Sequence, residues 1–173
     1  MSSSGSKTLP AIAFLTACEH AEQGTFGGLL VLNVNGRPLE FHCTTPVKSS
    51  RAQEILYGPT LRRFLYGEQI GPALLGKVKS ELLFVCTDQP DMLAAREFTS
   101  SPLVLILTES QEDDLPRNLT RFSLASEKVA VETEWQQDRE EVKRRWEPYI
   151  GRIDLPEPFT RIRDAIAEAR RAA

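Results

Sequence analysis

Three carboxylates stand in or at the ends of candidate secondary-structure elements. Glu19 closes the first apolar run, Glu54 lies in the first helical stretch, and Asp88 ends a later apolar run with Asp91 three residues on. Carboxylates on neighbouring elements can share Mg²⁺ ions and activate water. Acids at caps and loop starts are also ordinary surface residues, so the two readings stand together. A second set is Cys18, His20, His42, Cys43 and Cys86. Thiolate and imidazole bind zinc, but there is no C-x-x-C or H-x₃₋₅-H spacing. His42 and Cys43 are adjacent on an extended run and must point to opposite faces. The three cysteines each sit in or at the end of an apolar run, so they read as core thiols of a reducing compartment, most simply the cytoplasm. The run Leu15-Thr16-Ala17-Cys18 also resembles a lipoprotein processing site, with lipidation at Cys18 as the alternative.

No phosphate-cradling glycine motif and no nucleophile elbow occurs in the chain, and no cofactor motif is found. Gly24, Gly27 and Gly28 precede an apolar run and read as a turn or bulge.

The most distinctive stretch is Ile55-Leu56-Tyr57-Gly58-Pro59, echoed by Phe64-Leu65-Tyr66-Gly67. In one reading each glycine ends a helical turn at positive φ with a tyrosine packed beside it. In the other, Arg51, Tyr57, Arg62, Arg63, Tyr66 and Gln69 form a binding surface of the amphipathic and basic residues common at interfaces. Residues 48–80 carry six basic and two acidic side chains, whereas residues 81–134 carry four basic and eleven acidic ones. Such asymmetry orients a partner or a second copy. The C-terminal Arg139, Lys143, Arg144, Arg145, Arg161, Arg163, Arg170 and Arg171 are interleaved with acids, including Glu140–Arg144 and Glu141–Arg145 at i,i+4. The aromatic interleaving of a single-strand nucleic-acid binder is absent.

These residues sit in a chain of 173 residues with net charge −3, 41% hydrophobic and 26% charged. That balance suits one globular domain and lacks the basic excess of a dedicated nucleic-acid or membrane-surface binder. No apolar run reaches the ~20 residues of a membrane span.

Residues 1–8 read as a disordered tail, 9–155 as a single α/β domain, and 156–173 as a linker and amphipathic helix packed on the domain or on a partner. Ala11 to Cys18 reads as a first strand. Asn35-Gly36 between two apolar runs predicts a hairpin with a type I′ turn. Leu29 to Leu32 is apolar on both alternations and so belongs inside the sheet. Ser50 with Gln53 predicts a capping box, and Gly58-Pro59 and Gly71-Pro72 predict breaks or kinks in the following helix. Leu82–Thr87 and Leu103–Leu107 form a parallel β-α-β pair, followed by an acidic loop over 109–118, an edge hairpin and two helices, with Trp146 and Phe159 as anchors.

The order β-β-β-α-β-α-β over residues 11–107 resembles that of ribonuclease H-like domains. The resemblance is topological and implies a two-metal carboxylate nuclease, for which Glu19, Glu54 and Asp88 are the candidate Mg²⁺ ligands. The early acid in the middle of the first strand is missing here. With no complete catalytic set, the expected function is a non-catalytic binding or assembly module. A metal-dependent nucleic-acid-processing enzyme or its degenerate relative, and a thiol or metal protein, are the alternatives.

Overall fold

The computed structural model describes residues 9–108 and 115–172. The tail over 1–8 and most of the acidic loop lie outside that range. The chain has a mixed α/β fold built on one seven-stranded sheet. The strands are β1 (Ala11–His20), β2 (Gly24–Asn33), β3 (Pro38–Cys43), β4 (Leu82–Thr87), β5 (Leu103–Ile106), β6 (Leu119–Leu124) and β7 (Glu127–Glu132). Their order is β3-β2-β1-β4-β5-β7-β6. β1, β4 and β5 run parallel, and the remaining neighbours are antiparallel.

Strand alternation divides the core into two layers. Ile12, Phe14, Leu30, Leu32, Phe84, Cys86, Val104 and Ile106 face one side. There they meet Val142 and Trp146 of α4 (Asp138–Trp146) and Phe159, Ile162 and Ile166 of α5 (Pro158–Arg171). Ala13, Leu15, Leu29, Val31, Val85, Leu103 and Leu105 face the other side, against a broken helical segment over 51–75 and the 3₁₀ segment Pro90–Phe98. The broken segment comprises α1 (Arg51–Tyr57), α2 (Leu61–Arg63), a π-helical stretch Phe64–Ile70 and α3 (Gly71–Leu75). Both faces of β2 are buried, as its continuous apolar run requires. Ala11–Ala17, the stretch that processing at Cys18 would remove, forms most of β1, an interior strand of the sheet.

Several local expectations meet a different physical solution. The β2–β3 hairpin forms, but its turn is not type I′. Only Gly36 takes a positive φ (83°), Gly36 N–H donates to Asn33 C=O, and the Asn33 side chain accepts from Asn35 and Arg37 N–H. This is a three-residue loop with glycine in the left-handed position, which leaves Asn35 unstrained. Gly27 and Gly28 are not a bulge in the β1–β2 ladder, where they pair in register with Ala17 and Thr16. They admit helices from both sides. A Cβ on Gly27 would lie 2.2 Å from Ile70, and one on Gly28 would lie 2.4 Å from Ile162.

The capping box forms, with Gln53 N–H donating to Ser50 and Ser50 N–H to Gln53. Gly58 breaks the helix at φ 52°. At Gly71-Pro72 the helix is irregular rather than broken, passing from the π-helical stretch into α3. Pro72 has no N–H to donate, and Gly71 N–H reaches back five residues to the Tyr66 carbonyl, so the turn widens rather than stops. Gly67 is therefore no helix terminator. It lies in the widened turn because a Cβ there would come within 2.3 Å of Ala94. Among the described residues, no helix is long and apolar enough to cross a membrane.

Candidate functional site

Two surface features carry the candidate chemistry. The first is α1. Its capping box starts it and Gly58 ends it, yet none of its seven residues is buried. Ala52, Ile55 and Leu56 fall at i, i+3 and i+4 on one face, and that face points to solvent. Ile55 is 65% exposed and Leu56 82%. An apolar stripe on a helix ordinarily faces a core.

The six residues expected to form a binding surface separate here. Arg51 and Gln69 are exposed. Arg51 bonds Glu54 on its own helix (3.3 Å). Tyr57 is half-buried and stacked on Phe64, with centroids 4.1 Å apart. Arg62 is exposed and ion-paired with Glu19 (2.9 Å). Arg63 donates to both carboxylate oxygens of buried Glu132 (3.0 and 3.1 Å). Tyr66 is buried and donates its hydroxyl to Glu19 (2.7 Å). Burial, reinforced by that bond and by the Glu19 charge, raises the Tyr66 hydroxyl well above its usual range. Ile55 and Leu56 are the residues the expected set omitted, although the i, i+3, i+4 spacing of Ala52, Ile55 and Leu56 is visible in the sequence.

The second feature is an open cleft of about 380 Å³ where β1 and β4 end beside α5. Clefts beyond the carboxyl ends of parallel strands are where open α/β sheets commonly take ligands. Its wall is ordered by side chains that continue the sheet. The Gln89 amide accepts from Ala17 N–H (2.9 Å) and donates to Ala17 C=O (2.8 Å), which caps β1 from β4. Asp88 accepts from the Thr16 hydroxyl (2.7 Å) and from Arg163. Cys18 faces the cleft half-buried. Burial pushes its thiol up, opposed by Arg163 and assisted by Asp88, so it is held as a thiol rather than a nucleophilic thiolate.

The candidate metal ligands are not brought together. Glu19 lies on the β1 face toward Tyr66 and Arg62, whereas Asp88 bonds Thr16 on the opposite face. Glu54 is exposed on α1, bonded to Ser49 and Arg51. Among the described residues, no three His, Cys, Asp or Glu side chains are grouped to hold a metal ion. The cysteines are also dispersed. Cys86 is fully buried and Cys18 packs half-buried against the core, but Cys43 is exposed on the edge strand, so the expectation of three core thiols fails at Cys43. His42 bonds Glu40 on its own strand (2.9 Å). In α4, Arg144 and Arg145 both bond Glu141, and Glu140 pairs instead with Arg139.

No protein-family model, no curated protein and no solved structure matches this chain.

Proposed function

We propose that the protein is a non-catalytic binding module that docks a protein partner through α1. The observation that carries this reading is a capped helix with no buried residue that shows Ile55 and Leu56 to solvent. Fully covering each of two such side chains is worth roughly 1.5–3 kcal/mol, and the fold alone recovers only the smaller part of it. The stretch 48–80 around the helix carries six basic and two acidic side chains, which suits an apolar groove with acidic edges. The placement of the carboxylates supports a binding role over a metal-dependent one, because Glu19 and Asp88 are each neutralised by an arginine.

The test is affinity capture from the native host with the intact chain and with an Ile55→Asp, Leu56→Asp variant. Both positions are exposed, so the variant should keep wild-type stability to within about 0.5 kcal/mol. A protein retained by the wild type and lost by the variant supports the reading. A partner set unchanged by the double substitution refutes it.

A further inference from the structure

The cleft beside α5 holds a charge that no ion pair among the described residues neutralises; Glu19, which also lines the cleft, is paired with Arg62. Arg163, Ile166, Ala167 and Arg170 stand at i, i+3, i+4 and i+7, one face of α5, and all four line the cleft. The stripe is cationic at its ends and apolar between them. Three of the four arginines of α5 meet a carboxylate: Arg161 meets Glu157, Arg163 meets Asp88, and Arg171 meets Glu168. Arg170 is held differently. Its Nε donates to the neutral amide oxygen of Gln23 (2.9 Å), and its guanidinium lies 5.3 Å from the centre of the Phe26 ring. The group is oriented by two neutral contacts, and among the described residues no ion pair compensates it. In the same wall, His20 Nδ1 is buried without a hydrogen-bond partner among the described residues, which leaves the wall one polar contact short.

We propose that this cleft binds a small organic monocarboxylate, with its carboxylate on Arg170 and its apolar body against Ile166 and Phe26. One uncompensated guanidinium matches one negative charge, and its planar fork matches a carboxylate. A phosphate dianion would bring a second charge to a site where Asp88 already neutralises Arg163. The cleft volume of about 380 Å³ lies at the small end of the range for ligand pockets, which limits the body to about one ring. This inference is independent of the docking role given to α1, because no residue of α1 lines the cleft.

The experiment is a ¹H–¹⁵N NMR titration of the full chain with benzoate, benzyl alcohol, acetate and phenyl phosphate. Benzoate is expected to give saturable shifts at the amides of Cys18, His20 and Ile166. Benzyl alcohol lacks the charge and acetate lacks the ring, so each should bind at least about tenfold more weakly, the equivalent of one charge-assisted contact or of the buried apolar surface. Arg170→Gln should weaken benzoate by the same factor. Ala167→Leu, which fills the cleft and keeps every charge, should abolish binding, and the undisturbed remainder of the spectrum reports that each variant is folded. Benzoate shifts that do not saturate, benzyl alcohol binding as tightly as benzoate, or indifference to Arg170→Gln would each overturn the proposal. Preference for phenyl phosphate would overturn the carboxylate assignment. The α1 double variant should bind benzoate as the wild type does, which separates failure here from failure of the docking reading.

Discussion

Glu40 offers the sharpest test of how the fold is held. It stands on the edge strand β3 and reaches the turn that enters β4. Its carboxylate accepts from Lys79 N–H (3.1 Å), Ser80 N–H (2.9 Å), the Ser80 hydroxyl (2.5 Å) and His42 (2.9 Å). Its side chain is 15% exposed. Burial alone would raise its pKa. The donors outweigh burial and hold it down from 4.5 to about 2. A carboxylate depressed by that amount corresponds to about 3 kcal/mol at 1.36 kcal/mol per unit, and residual solvent screening brings this to about 2 kcal/mol. The sign follows from the depressed pKa. The stabilisation is fully present above the unfolded value near 4.5 and is lost as pH falls through about 2. Glu40→Gln keeps the shape but removes the charge and turns an N–H₂ toward groups that donate. Urea unfolding at pH 6 should show the variant about 2 kcal/mol less stable, a midpoint shift of about 1 M with a typical m-value. By pH 3 the difference from wild type should fall to about 1 kcal/mol or less, and comparing the two proteins cancels every other carboxylate. A difference that stays constant from pH 6 to pH 3, or no difference at pH 6, would refute the assignment of the four donors to a charged Glu40.

Two further substitutions test the packing. Gly67→Ala should destabilise by about 1–3 kcal/mol through overpacking against Ala94, measured by thermal unfolding. Gly58→Ala, which meets open space, should cost only the backbone strain of φ 52° with ψ −128°, about 1–3 kcal/mol, whereas a Gly67→Ala loss under about 0.5 kcal/mol would contradict the close-approach role of Gly67. Arg96 donates to Asp138 through Nε (2.7 Å) and Nη2 (3.2 Å), with both side chains nearly buried. Asp138→Ala should cost about 3–5 kcal/mol in urea unfolding, because it strands the Arg96 charge between Trp135 and Thr99. A loss under 1 kcal/mol would show that the guanidinium reaches water instead.

Much of the architecture was legible because it rests on local rules. The double-sided apolar run of β2, the capping box at Ser50, the break at Gly58-Pro59 and the edge position of the β6–β7 hairpin follow from alternation, caps and turn residues. Those rules stop where two distant segments meet. The two Leu-Tyr-Gly repeats look alike in sequence. Gly58 is there for its backbone angle and Gly67 for the space Ala94 needs, a difference set by a segment 27 residues away. Gly27 and Gly28 look like a turn until helices arrive from both faces of β2. Spacing in Ala52, Ile55 and Leu56 predicts an apolar stripe, but whether a core covers that stripe depends on where the helix lands.

Charge follows the same division. The sequence by itself determines the number of acids and bases, the mixed α/β element order and the alternating faces of each strand, since these depend on residue type and on periods of 2 and 3.6. Only the tertiary structure decides which charges are spent. It sends Glu19 to Arg62 and Tyr66 on one face and Asp88 to Arg163 on the other, splitting carboxylates that look like a set along the chain. It also leaves Arg170 between a glutamine and a phenylalanine ring. Pairing acts over a few ångströms, and proximity at that scale between residues as distant as 23 and 170 exists only once the sheet and α5 have assembled.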